Sequence, residues 1–388
     1  MESSSPWSRL PFELAHEIAG HNADDVPALR ALALVSKTMR SVAIKDLFSV
    51  VHFACAEDLP QWLDMLGRTP TLGNIVRKVK FSLDPNESWL KRHRGLERAT
   101  SISRTAIPPT IPAMPNARIV EWDGNYGGDV TLRIAAAYMA LFPNIQELHL
   151  KNMTLISMVT LTNFLCACGR LKVLSFSNTT IYCEDSDYDS EDSDVVRESP
   201  QPGSVNLAEL DELVIKSTYI DNQPDFLLHL AEHSPPAKLK SLTFGSAVCT
   251  EQEGPCSVPA MDSLLQAAAP SLVHLVIEPT LQLSQTQISE MFGRLPPFPA
   301  LHSLTIWLGQ NRKAEMMIRA LAAAPNLHTI IFRIEFFEDA DDDDDREHLD
   351  RIMRDNFPWT TSESIKSFLK RKFPSIQRQR WMWPTIWS

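Results

Sequence analysis

Leu171-Lys172-Val173-Leu174-Ser175-Phe176 and Leu239-Lys240-Ser241-Leu242-Thr243-Phe244 spell one short pattern twice, an apolar residue followed three positions later by an apolar-x-apolar triplet. The same pattern returns at Leu148-His149-Leu150, Leu213-Val214-Ile215, Leu275-Val276-Ile277, Leu304-Thr305-Ile306 and Ile330-Ile331-Phe332, each again with an apolar residue three positions earlier. Weaker copies stand at Val79-Lys80-Phe81 and Val120-Glu121-Trp122, and Val51-His52-Phe53 reads as the first. From Leu148 the intervals are 26, 39, 29, 33, 29 and 26 residues. The longest contains an acidic insertion, so the period is otherwise nearly constant. Helical stretches fall between the copies at Met158–Cys168, Pro224–His233, Met261–Ala269, Gln285–Leu295 and Ala314–Ala324, most ending near Pro or Gly.

A strand of about three residues followed by a helix, repeating near 28 residues, resembles a leucine-rich-repeat solenoid. The fold class expected is α/β, with parallel strands on one side of each repeat and helices on the convex side. Thr179 and Thr218 stand where such repeats carry a side chain that satisfies backbone groups at the turn, and Ile181 and Ile220 follow two later. A doubly wound enzyme fold would need a Gly-rich turn between strand and helix, and no unit supplies one. Strand alternation sends the first and third residues of each triplet into the core and the middle one to the concave face. That places His149, Ser175, Val214, Thr243, Val276, Thr305 and Ile331 on a candidate substrate-binding surface, joined by Trp307 and Arg333 as residue types that anchor interfaces. The row has no single-sign stripe of the kind nucleic acid requires, so no nucleic-acid partner is expected.

Ahead of the repeat, about fifty residues carry three amphipathic helices. Pro11 opens the first, with Glu13 in its first turn and Leu14 and Ile18 on one face. Asp24 or Asp25 caps the second, where Leu29, Leu32 and Val35 recur at threes; Ser36 caps the third, where Met39, Val42, Ala43 and Leu47 share a side. So short a segment rarely sustains a core alone and leans on the chain or on a partner. The run Leu10-Pro11-Phe12-Glu13-Leu14, then Ile18, Ala31 to Lys37, Arg40, Ala43 and Leu47-Phe48 resembles the F-box of many fungal F-box proteins, over residues 8 to 50. In that family the Leu-Pro opening and the apolar residues of these helices dock the Skp-type adaptor of a cullin ubiquitin ligase. The resemblance therefore implies adaptor-binding roles for Leu10, Pro11, Leu14, Ile18, Leu32 and Val35. Met39 departs from the aromatic residue the family often has there, and a methionine can fill an irregular apolar gap.

The expected organisation is a head over 1–50, a solenoid over 51–338 with an acidic loop at 184–204, and a cap or tail over 339–388. Net charge is −11, but 184–198 and 338–347 each hold eight acids and one Arg, leaving the remainder near +3. Both tracts read as solvated loops. The Asp341–Asp345 run lacks the Gly and terminal Glu of a calcium loop. His229-Leu230-Ala231-Glu232-His233 matches a zinc-peptidase string, but no third ligand is recognisable and the string sits in a repeat helix. Cys166, Cys168 and Cys183 lack the paired spacing of a structural zinc site. Nothing resembles a nucleophile elbow or a phosphate loop. No metal, cofactor or catalytic residue is expected. Four of the nine Trp lie in the last thirty residues, read as a capping segment.

No apolar run is long enough for a membrane span, and the first residues lack a signal peptide's pattern. Six scattered Cys fit a reducing compartment, so the expected address is cytoplasmic or nuclear. The function implied by the resemblance is a substrate-recognition subunit of a Skp-cullin-F-box ligase. The alternative is a non-catalytic repeat scaffold without an adaptor.

Overall fold

The computed structural model describes residues 10–22, 25–54, 58–83, 114–124, 142–153, 156–166, 168–182, 207–216, 219–220, 237–244, 257–277, 297–308, 324–334 and 378–382. The chain divides into two compact units, Met1–Tyr126 with Arg133–His149, and Leu150–Ser388 with Gly127–Leu132.

The first unit begins with helices α1 (Phe12–His21), α2 (Val26–Val35) and α3 (Lys37–Leu47). Asp25 and Ser36 cap α2 and α3, accepting from the backbone N–H of Ala28 (2.9 Å) and Met39 (3.1 Å). Pro11 stands one residue before the position expected. It is the N-cap, and its carbonyl accepts the first helical bond from Ala15 N. α3 packs against both other helices. Their shared core is Ala15, Ala19, Leu29, Met39, Val42 and Ala43, all essentially closed to solvent. The buried face of α1 is Ala15 and Ala19, with Ile18 half-buried against the same core and Leu14 exposed.

After α3 come β1 (Val50–Phe53), α4 (Asp58–Arg68), a 3₁₀ turn at Pro70–Asn74, β2 (Lys78–Leu83) and β3 (Ile119–Gly124). The unit boundary falls inside β4 (Glu147–Lys151). β1, β2 and β3 pair parallel in chain order, with Phe53, Phe81 and Trp122 in one register row. Their rings form a spine. Phe81 stacks on Trp122 at 3.8 Å between centroids and 5° between planes, and Phe53 lies 5.1 Å from Phe81. Trp62 and Phe142 meet the row edge-on.

The second unit contains β5 (Ile156–Ser157), α5 (Met158–Cys166), β6 (Val173–Ser177), β7 (Thr180–Tyr182), β8 (Glu212–Lys216), β9 (Tyr219–Ile220), β10 (Ser241–Phe244), α6 (Ser257–Ala268), β11 (His274–Ile277), β12 (Ser303–Leu308), β13 (Thr329–Ile334) and β14 (Arg378–Met382). The main sheet runs β6-β8-β10-β11-β12-β13-β14, all parallel, and β5-β7-β9 make a small second sheet. This is an α/β repeat solenoid. Every triplet read from the sequence lies within a strand, from β1 to β4 and then in β6, β8, β10, β11, β12 and β13. Of the expected helices, Met158–Cys168 stops at Cys166 and Met261–Ala269 starts earlier, at Ser257. Pro224–His233, Gln285–Leu295 and all but the last residue of Ala314–Ala324 lie outside the described residues.

Several strands are entered in the same way. A β-turn closes from the residue three before the next buried one, as in Leu171 N to Cys168 O, Leu210 N to Leu207 O and Leu327 N to Ala324 O. Both ends of the turn are buried and its two central residues lie outside, so the core repeat is longer than the triplet: Cys168, Leu171, Leu174, Phe176 in one copy and Leu207, Leu210, Leu213, Ile215 in the next. The carbonyl just before each strand then accepts two successive N–H groups of the following repeat. Lys172 O takes Asp211 N (2.8 Å) and Glu212 N (2.9 Å), Asp211 O takes Lys240 N and Ser241 N, and Lys240 O takes Val273 N and His274 N. Side chains pin the same corner. Asn144 donates to Pro115 O, Asn326 to Pro299 O and Ser271 to Leu239 O, at 3.0, 2.7 and 2.9 Å. At the far end of the strands, Asn152 and Asn178 both adopt φ 51°, a left-handed conformation Asn tolerates, and Asn178 Nδ2 donates to Asn152 Oδ1. Thr179, buried, donates to Ser177 O and Leu150 O, as its place in the pattern requires; Thr218 lies outside the described residues.

The indole N–H of Trp122 is buried without a hydrogen-bond partner. Trp122→Phe keeps the stack on Phe81 and removes that orphan donor, so its urea midpoint should stay within about 1 kcal/mol of wild type. Trp122→Ala should lose about 3–5 kcal/mol. A larger loss for Phe than for Ala would contradict this account of the spine.

Candidate protein-binding surfaces

Two surfaces emerge, one in each unit. The first is the outside of the head. Its core is complete, yet Phe12, Leu14, Val26 and Leu34 remain exposed, with Leu34 at 79% and Leu14 at 47%. Val50, at the start of β1, is exposed as well. Every large hydrophobic residue left exposed among the described residues lies between Phe12 and Val50. Single exposed leucines are ordinary, but a cluster this dense in one small segment marks an interaction face.

The six residues assigned to adaptor binding divide in two. Pro11 and Leu14 face solvent. Leu10, Ile18, Leu32 and Val35 are half-buried, packed against the head's core with one side still open. Phe12, Val26 and Leu34 were not assigned and are more exposed than most that were. The signal for them lies in α2 itself: Val-Pro-Ala-Leu-Arg-Ala-Leu-Ala-Leu-Val has a single polar residue, Arg30. One helix cannot hide apolar residues all round inside so small a core. Met39, the departure from the family pattern, is fully buried at the centre of the head.

The second surface is the outward row of the second unit's main sheet. Ser175, Val214, Thr243, Val276, Thr305 and Ile331 occupy one register row, strand after strand. Ser175, Thr243 and Thr305 are nearly closed to solvent, at 7%, 7% and 6%, while Val214, Val276 and Ile331 are half-buried. Strands about 4.8 Å apart let the branched neighbours shield the smaller hydroxyls between them. What this row offers a partner is therefore flat and uncharged. Trp307 and Arg333 are in register with each other on β12 and β13; their side chains lie outside the described residues. In the first unit the corresponding face is polar: His52 bonds Ser82, Lys78 pairs with Glu121 at 2.7 Å, and His149, half-buried, lies 3.7 Å from Glu147.

Among the described residues, no group of three or more His, Cys, Asp or Glu is placed to hold a metal ion. The His229–His233 string and Cys183 lie outside them. Cys166 is a half-exposed thiol outside any disulfide. Cys168 is a free, buried one whose pKa burial pushes up to about 12, and its Sγ lies 3.4 Å from Phe164 O. No described helix is long and apolar enough to cross a membrane. No protein-family model matches the chain, and a search of curated proteins found no match.

Two measurements check these placements. Leu34→Asp should leave stability within about 0.5 kcal/mol, whereas Met39→Ala should lose about 2–5 kcal/mol, read from urea unfolding. At pH 8 a thiol reagent should spare Cys168 in the folded protein and label it once urea unfolds the chain; labelling of native Cys168 at the rate of an exposed thiol would contradict its burial.

Proposed function

We propose that the chain is a non-catalytic, substrate-recognition subunit of a Skp-cullin-F-box type ubiquitin ligase. The head, read as an F-box, binds the adaptor, and the repeat holds a protein substrate. The observation carrying this reading is the concentration of exposed large hydrophobics on a head whose own core is already filled. Such a face gains about 25 cal/mol for each Å² of apolar surface that a partner covers. Leu10, Pro11, Leu14, Ile18, Leu32 and Val35 remain the adaptor set, to which Phe12, Val26 and Leu34 are added. The outward row from Ser175 to Ile331, with Trp307 and Arg333, is the substrate-facing candidate. The chemistry belongs to other subunits. This chain contributes proximity, raising the effective concentration of target lysines near a charged conjugating enzyme. A cytoplasmic or nuclear address follows from that role.

The test is co-expression with a Skp-type adaptor. Wild type should elute with the adaptor as one complex. Leu14→Asp/Leu34→Asp, both at exposed positions, should weaken binding on the order of 100-fold or more, since each Leu buried in an interface is worth about 1.5–3 kcal/mol. Its circular dichroism and urea midpoint should match wild type. Separate elution of wild type and adaptor would overturn the proposal.

A further inference from the structure

The solvent faces of the three head helices differ in charge. On α3 the exposed positions are Lys37, Arg40, Ser41 and Lys45, three cations and no acid. On α2 the exposed Arg30 lies four residues from both Val26 and Leu34, which puts the three along one stripe. α1 carries the opposite sign, with Glu13 and Glu17 exposed. None of the four cations forms an ion pair among the described residues.

Two of these cations are held in place beside the exposed apolar residues. Lys45 Nζ sits 5.8 Å from the centroid of the Phe12 ring, tying α3 to α1. Arg40 Nε donates to the carbonyl of Ala33 at 3.0 Å, the residue next to Leu34. That bond fixes the guanidinium by its inner nitrogen and leaves the outer pair of nitrogens for a second acceptor. Lysines kept only for solubility need no fixed position, whereas these groups are anchored at the border of the apolar face. Charges bordering a dry contact contribute little to affinity one by one, but they set approach rate and exclude partners of the wrong sign.

We propose that Arg30, Lys37, Arg40 and Lys45 form a cationic rim that receives carboxylates of the protein covering Phe12, Leu14 and Leu34. The partner surface that fits is an apolar groove bordered by Asp or Glu where it meets α2 and α3. This rests on the adaptor reading of the head and adds how the adaptor is recognised: hydrophobic contact holds it, and the rim steers it in.

The experiment measures association and dissociation rates of the full chain with a Skp-type adaptor, at about 20 mM and about 500 mM salt. Arg30→Glu/Lys37→Glu/Lys45→Glu leaves Arg40 and its bond to Ala33 intact. It should slow association roughly tenfold or more at low salt, with the difference collapsing at high salt and dissociation changing less. Lys172→Glu, an exposed reversal in the second unit, should leave the rate unchanged. Equal low-salt association rates for wild type and the triple variant would overturn the rim while leaving adaptor binding intact. If wild type itself does not bind the adaptor, the proposed function falls and the rim with it.

Discussion

One carbonyl at the entrance of each strand governs the geometry of the repeat. By accepting two successive N–H groups from the next copy, it fixes where that copy's strand begins, and a parallel strand that begins in register stays in register. The constraint arises because the preceding turn buries both of its ends, and a backbone polar group near a dry core must find a partner. Asn144, Asn326 and Ser271 reinforce the corner with side-chain donors to the previous repeat's turn. Once register is set, everything else lines up in rows. Leu174, Leu213, Leu242, Leu275, Leu304 and Ile330 form one continuous line of core, and Ser175 to Ile331 one continuous line of surface.

Rows make the face of the sheet modular. A side chain there is flanked by its two register neighbours, so its exposure depends on them as much as on itself. Thr243 is shielded because Val214 and Val276 stand on either side. Replacing a neighbour changes the hydroxyl's environment without touching the core beneath. Specificity can therefore vary along this row at little cost in stability, since each repeat exchanges energy mainly with the next one. The first unit uses the same scaffold differently. Its core row is aromatic, and on its outward face Lys78–Glu121 and His52–Ser82 link neighbouring rows.

Much of this was readable in the residues, and the misses share a cause. The triplets were visible because parallel strands buried on one face must repeat apolar residues at fixed offsets. The turn ahead of them was harder to read: its buried first residue is Met114, Phe142, Cys168, Leu207, Phe298 or Ala324, too varied to register as a motif. The recurring Pro-Asn at 115–116, 143–144 and 325–326 was the usable sign, since Pro favours the first central position and Asn supplies the inter-repeat bond. In the head, spacing put Leu14 and Ile18 on one apolar face, because periodicity marks a stripe without saying which side of it is buried. The buried alanines at 15 and 19 show that side, which only packing reveals.

The head shows why periodicity under-reads an exposed apolar face. A sequence pattern assigns every apolar residue of an amphipathic helix to the inside, so an interaction surface appears only as a surplus. In α2 the surplus is plain, with nine of ten residues uncharged and Leu34 left outside. Leu10, Ile18, Leu32 and Val35 stand between the two cases, touching the core on one side and open on the other. Such residues couple the two surfaces: a partner packing on them also tightens the helices beneath. Apolar residues off the buried stripe, rather than those on it, are the surface a small helical head of this kind leaves open.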